Sequence, residues 1–401
     1  MRHLCIVRTL ASMCVVVACA TCEAAAQTAD DLFAANAVQD VFISVNDRDL
    51  AELRERYQEN VYFPADVAWR DLRLHNVGLR SRGLASRSAT KPGLKLDFNH
   101  YVAGQQLLGF ESLVLDNLVT DPSMIREMLA MQMFARLGQP ALRESFARVY
   151  INRVYQGLYA IVEPVDEVFL QRTWHDSSGY LFERNFLWPF YGQELADTAT
   201  WREVFEPRTH ARDTDATLYA PIAALFHEAN QPIDALWRAS LERYLDLDQF
   251  VTHVAIEICL AEADGVLGYA GMANFYLYRS AESGRHRLIV WDKDRTFSTV
   301  DMPIFQGADE NVLVSRALRF ADLRTRYLDV LDDCARLLAN SGWLEQAIDQ
   351  AAALVADAAR QDRVKPYTDD QHDSAVAFLR SFARERPVFV LHAVASVRME
   401  R

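Results

Sequence analysis

Hydrophobic positions along this chain follow two regimes. From Val41 to Val162 they alternate mainly with polar ones, as in half-buried strands. Val41-Phe42-Ile43-Ser44-Val45 reads as a first strand, and Leu72, Leu74, Val77 and Leu79, then Leu94, Leu96 and Phe98, continue the extended pattern. Ala147 to Ile151 and Gly157 to Val162 flank Asn152 to Gln156, which predicts a hairpin. Two helices interrupt the strands. Asn46 or Asp47 caps one that runs through Leu50, Leu53 and Tyr57. Asp121-Pro122 starts the other, whose apolar face of Ile125, Met128, Leu129, Met133 and Leu137 ends at Gly138.

Aromatic, loop-like sequence from Trp188 to Arg212 reads as a long insertion or lobe boundary, and helical spacing dominates after it. Leu247 to Leu260 is apolar on nearly all sides, as a buried helix is. A second hairpin follows, Asn274 to Tyr278 and Arg287 to Trp291 around Glu282-Ser283-Gly284, and amphipathic helices from about Asp322 onward predict a supporting bundle. The pattern predicts an α+β protein: a leader at 1–26, a tether at 27–36, a strand-rich N-terminal lobe at 37–190 and a helical C-terminal lobe at 191–401.

Composition adds further constraints. A chain of 401 residues with 51% hydrophobic and 24% charged content buries a substantial core. Arg2 and Arg8, an apolar run from Leu10 to Ala20 and Ala24-Ala25-Ala26 read as a signal peptide, with a lipid anchor at Cys19 as the rival route; secretion or a periplasmic or envelope location follows from either. No later stretch is long and apolar enough to span a membrane. Four of the six cysteines lie in the leader, leaving Cys259 and Cys334, for which buried free thiols are the commoner outcome and one bridge the alternative. Removing the leader moves the formal net charge from −13 to −14, which disfavours nucleic acid as a partner.

Candidate chemistry is carried by carboxylates and one basic stretch. Trp291-Asp292-Lys293-Asp294 closes an apolar strand, and positions i and i+2 of extended chain share a face, so Asp292 and Asp294 could hold one hard cation. Carboxylates that cap a helix or sit in solvent fit the same pattern. Asp264-Gly265, directly after the buried helix, offers a proton acceptor or an ordinary turn. Gly78 to Gly83 carries Arg80 and Arg82, with Lys91 and Lys95 beyond, which suits phosphate oxygens or a solvated strand edge. No P-loop, G-x-G-x-x-G, H-R-D, D-F-G, G-x-S-x-G or H-E-x-x-H motif is present.

In this order, Val77-Gly78-Leu79-Arg80-Ser81-Arg82-Gly83, Asp121 to Arg126, Tyr150-Ile151-Asn152 with Gly157-Leu158-Tyr159, Glu163 to Asp166, Asp264-Gly265, Asn274 to Tyr278 and Trp291 to Phe297 resemble the CotH kinase family. The resemblance implies a divergent protein-kinase-like fold whose strand-rich and helical lobes close on ATP. It implies Asp264 as catalytic carboxylate, Asp292 and Asp294 as metal ligands with Asn274 in support, and Arg80, Arg82, Lys91 and Lys95 toward the phosphates. Glu163 and Trp291 are further cofactor-site candidates. The sequence departs from the family's pattern at Arg153, where a turn glycine is usual, and at Glu183, where a lysine is; Arg184 is the nearest substitute cation.

The resulting expectation is an atypical serine/threonine kinase that uses ATP with Mg2+ or Mn2+ on a protein substrate. A non-catalytic surface or envelope attachment protein on the same fold is the alternative, and a secreted hydrolase a distant third.

Overall fold

The structure, a computed structural model, describes residues 27–234, 236–340 and 342–400. The signal peptide and the possible anchor at Cys19 lie outside the described residues. Seven strands, β1 (Val38–Val45), β2 (Phe63–Trp69), β3 (Leu72–Arg82), β4 (Gly93–Asp97), β5 (Ser112–Asp116), β6 (Glu144–Ile151) and β7 (Val154–Val162), close into a barrel ordered β1-β2-β3-β4-β5-β7-β6. Neighbours are antiparallel except β1 and β6, whose parallel pairing from Val38↔Phe146 to Ile43↔Ile151 shuts the barrel. A second, antiparallel sheet contains β8 (Tyr180–Arg184), β9 (Phe205–Pro207), β10 (Phe275–Arg279) and β11 (His286–Val290), ordered β11-β10-β8-β9.

The helices are α1 (Ala29–Leu32), α2 (Asp47–Glu55), α3 (Arg126–Arg136), α4 (Glu167–Trp174), α5 (Thr198–Val204), α6 (Asp215–Asn230), α7 (Trp237–Leu241), α8 (Leu247–Cys259), α9 (Val312–Ala317), α10 (Ala321–Asn340), α11 (Trp343–Gln361) and α12 (Asp369–Met399). Asn46 caps α2 by accepting the Arg48 N–H. None of the helices is long and apolar enough to cross a membrane, among the described residues.

Two cores result from the strand period. Val41, Ile43 and Val45 of β1, Leu113 and Leu115 of β5, and Tyr159 and Ile161 of β7 fill the barrel. The alternate residues Val114, Phe146, Leu158, Ala160 and Val162 point outward into a larger core built on the helices and second sheet. Strands β5 to β7 thus serve both cores, which is why β7 is buried on both faces.

Helix α8 is buried without interruption from Phe250 to its end at Cys259. Arg386 of α12, itself fully buried, donates to the carbonyls of Ile258 (2.6 Å), Cys259 (3.1 Å), Val300 (2.9 Å) and Met302 (2.6 Å). One guanidinium therefore binds the last carbonyls of α8 and fixes the loop after β11 beside them.

Four local expectations are corrected. The helix placed at Asp121-Pro122 starts at Arg126, because the Asp121 carboxylate accepts the N–H groups of Ser123, Ile125 and Arg126 and holds a bend ahead of it. Residues Trp188 to Arg212, read as loop-like, contain α5 and β9, the edge strand of the second sheet. Because β8 pairs with β10, the strand at 180–184 belongs with the later residues, and the barrel ends at Val162. Cys259 and Cys334 are joined in a disulfide between α8 and α10, Cα to Cα 6.5 Å, rather than being free thiols.

Candidate active site between the barrel and the second sheet

The barrel contributes one wall through β3 and β4, where Arg80 pairs with Lys95 and Arg82 with Gly93. Trp291, just past β11, and Tyr276, paired with Glu183 across β10 and β8, contribute the other. The Arg82 guanidinium lies 5.6 Å from the Trp291 ring centre, and Tyr276 meets Trp291 edge-on at 5.3 Å. Arg82 also reaches Asp116, at the end of β5, at 3.4 Å. Arg80 donates to Asn60 Oδ1 (2.8 Å) and the Ser81 carbonyl (2.9 Å). Burial holds the Lys95 ammonium below its usual pKa, against the pull of Asp97 and helped by Arg80 and Arg208.

Asp264 sits on the loop after α8. Its N–H donates to Glu262 Oε1 (2.7 Å), and Asn274 Nδ2 donates to its carbonyl (2.9 Å) and to its Oδ2 (3.2 Å). Burial raises the Asp264 carboxyl, while Lys293 and the Asn274 amide oppose the rise. Gly265 is demanded by packing: a Cβ there would stand 2.4 Å from Glu257 Oε2. Glu257 accepts from Val266 N (2.7 Å) and from Lys293 Nζ (2.8 Å), and Lys293 Nζ donates to the Asn274 carbonyl (2.9 Å). Lys293 therefore ties the Asp264 loop to the Asp292–Asp294 segment.

Asp292 and Asp294 come together by a different route from the extended geometry the sequence predicts. Strand β11 stops at Val290, and Asp292 is left-handed at φ 50°. Burial, then the charges of Asp294 and Asp116, push the Asp292 carboxyl up to about 8, against Arg82 and Lys293. Asp294 is also raised by burial and receives the Thr120 hydroxyl hydrogen bond. Glu127 of α3 and Glu144 of β6 are raised well above the ordinary range, first by burial and then by surrounding carboxylates that include Asp116 and Asp292. Among the described residues, no three His, Cys, Asp or Glu side chains stand close enough to hold a metal ion by themselves. Magnesium needs only one or two carboxylates and completes its shell with water and phosphate. A buried, mutually repelling Asp292 and Asp294 fit that requirement.

Asp116, Glu127, Glu144, Glu257, Glu262 and Lys293 went unnoticed in the sequence. Asp116 alone carried a usable signature: it closes apolar Leu113-Val114-Leu115 as Asp292 follows Leu288 to Val290.

Other predicted residues lie apart from this junction. Lys91 is buried, with Nζ on Asp362 Oδ2 (2.7 Å) and the Leu158 carbonyl (2.8 Å), so its donors are turned from the cleft. Glu163 is fully buried between Arg143 (2.8 Å) and Arg172 (2.7 Å). The Asn274 amide is spent on Asp264. Arg184 donates to the carbonyls of Met272 (3.0 Å) and Trp188 (3.1 Å), and the cation beside Glu183 is Arg208. Next to Asp264 opens a cavity of about 640 Å³ whose lining includes Glu262, Tyr269, Asp301, Gln306 and Glu310.

A family model described as CotH kinase protein matches residues 79–390. Inner spore coat protein H of Bacillus subtilis (strain 168) is 24% identical over 334 residues, covering 80% of this chain and 86% of that protein. The crystal structure of a Helicobacter pylori proinflammatory kinase, CtkA, aligns with 77% of this chain and 94% of its own at 12% identity and a TM-score of 0.33.

Proposed function

The chain belongs to the CotH kinase family, and from that premise we propose that it transfers the γ-phosphoryl group of ATP to serine or threonine hydroxyls of a protein, in or beyond the cell envelope. The observation that carries the reading is the junction at Lys293, which links the Asp264 support to the Asp292–Asp294 segment within reach of the Arg82 guanidinium on the barrel wall.

Asp264 orients the acceptor hydroxyl and takes its proton as the oxygen attacks the γ-phosphorus and ADP leaves. Asn274 holds that carboxylate and Glu262 takes the residue's backbone N–H, and burial raises the carboxyl above its ordinary pKa, which strengthens it as a proton acceptor. Arg82 and Lys95, with Arg80 beside them, bind phosphate oxygens through donors that protein carboxylates leave largely unused. Asp292 and Asp294 hold Mg2+ or Mn2+, which when bound supplies positive charge to the phosphate oxygens.

The Cys259–Cys334 disulfide supports an oxidising location, as does the leader pattern, and the name of the Bacillus relative supports an envelope or coat setting. The test is label transfer from γ-labelled ATP by purified mature protein with Mg2+ or Mn2+, followed by phosphoamino-acid analysis. Label on serine or threonine that is lost in Asp264→Ala is the expected result; a protein that neither binds ATP with metal nor labels itself or an acceptor overturns the proposal.

A further inference from the structure

The second sheet presents a charged row to the cleft that the phosphate-binding reading above leaves unused. Arg208 follows β9 and is anchored through its N–H to the Leu181 carbonyl (2.7 Å). Its Nε (2.7 Å) and Nη2 both donate to Glu183 Oε2, and its Nη1 donates to Glu206 Oε1 (2.8 Å). Glu183 stands opposite Tyr276 on β10, and Tyr276 is edge-on to Trp291 beneath Arg82. Across the cleft, Lys95 feels both Arg208 and Glu183, yet its closest carboxylate oxygen is Asp97 at 4.0 Å, beyond hydrogen-bond reach.

The Glu183 carboxylate thus joins Arg208 to the Tyr276–Trp291–Arg82 stack, and Lys95 of the barrel lies within electrostatic reach of both. Two guanidinium donors converging on one carboxylate oxygen offer the same pair of charge-assisted hydrogen bonds to a phosphate oxygen. We propose that Arg208 is a phosphate-binding residue of the cleft, and that Glu183 is an internal carboxylate occupying it, which an entering polyphosphate displaces. The proposal rests on the nucleotide reading for the identity of the anion; its chemistry, a polyphosphate between Lys95 and Arg208, rests on the row itself.

The two halves of the ion pair then act with opposite sign. Arg208→Gln removes a donor pair and weakens polyphosphate binding, whereas Glu183→Gln removes the competitor and a negative charge and tightens it. An ion pair that merely braces β8 against β9 moves both variants the same way or not at all. The experiment is calorimetric titration of full-length mature wild type, Arg208→Gln and Glu183→Gln with ATP, inorganic tripolyphosphate and adenosine, beside thermal melts that establish folding. For ATP and tripolyphosphate, Kd rises about tenfold in Arg208→Gln and falls severalfold in Glu183→Gln, the size expected of one charge-assisted hydrogen-bonding pair; adenosine binding is unchanged. Wild-type ATP binding with both variants unaltered, or shifted in the same direction, overturns this inference and leaves the kinase reading standing. Opposite shifts for tripolyphosphate without phosphoryl transfer to any protein sustain the inference and overturn that reading, and a wild type that binds neither polyphosphate overturns both. If Arg208→Gln fails to fold, Arg208→Lys, which keeps the charge but loses the fork, carries the same expectation at smaller size.

Discussion

Two buried lysines define two regions with contrasting charge balance. At the joint between barrel and helical bundle, Lys91 and Asp362 are 1% and 0% exposed and pair at 2.7 Å. The Leu158 carbonyl takes a second Lys91 proton, while the N–H groups of Leu158 (3.1 Å), Val364 (3.0 Å) and Lys365 (3.0 Å) complete Asp362. Each charge there is matched. Around Lys293, one ammonium faces Glu257, Glu262 and Asp292, and Asp294, Asp116, Glu127 and Glu144 crowd beyond it. The matched joint is complete without a ligand, whereas the second region holds more carboxylates than cations, so that its raised carboxyls either keep protons or give them up to an added cation. Leaving buried charges unmatched costs stability, so such a surplus marks chemistry more reliably than burial does.

Removing Asp264 breaks the comparison on the functional side. Asp264→Asn is expected to lower phosphoryl transfer roughly 10²- to 10⁴-fold, the range for a positioned acid or base, with the melting temperature little changed. Steady-state label transfer beside a thermal melt checks it. At the joint the pattern inverts. Asp362→Ala strands a buried ammonium and should cost about 3–5 kcal/mol in urea unfolding, while Lys91→Met with Asp362→Leu recovers only the part due to the stranded charge, because the N–H groups of Leu158, Val364 and Lys365 still lack their acceptor.

Glu262 sharpens the contrast through pH. Burial raises its carboxyl to about 8 from 4.5, so the native state holds a proton that the unfolded chain has released. Its contribution is therefore fully present below about 4.5 and fades as pH rises toward 8. Glu262→Gln should flatten the decline of melting temperature across that window; an unaltered slope would assign the decline to other groups. The smallest effect belongs far from both regions. Asn152 and Arg153 form the β6–β7 turn at φ 49° and 67°, and the Arg153 side chain is exposed. Arg153→Gly should stabilise by about 1 kcal/mol through relief of left-handed strain, without altering activity.

The regular parts of this fold are legible because their causes are local. Alternation located β1, the β6–β7 hairpin and the β10–β11 hairpin, and unbroken apolarity located α8. The start of α3 was misplaced because Asp121 spends its carboxylate on a bend, which local pattern does not distinguish from a cap. Within the candidate site, Asp264 and the Asp292–Asp294 pair carried turn and strand-end signatures, whereas nothing local to Lys293 marked its link to Glu257 and Asn274. Lys91 resembled a phosphate ligand because its partner Asp362 lies 271 residues away. Long-range pairing decides whether a basic side chain is structural or free, and no short motif encodes it.

The central claim is that the carboxylates around Asp292 await a cation while the Lys91–Asp362 joint does not. Thermal melting of wild type, Asp292→Asn and the Lys91→Met/Asp362→Leu variant, each with and without Mg2+ and ATP, tests it directly. The account predicts that metal with nucleotide raises the melting temperature of wild type and of the joint variant and leaves Asp292→Asn unmoved; a wild type indifferent to both, or an Asp292→Asn protein stabilised as fully as wild type, would contradict it.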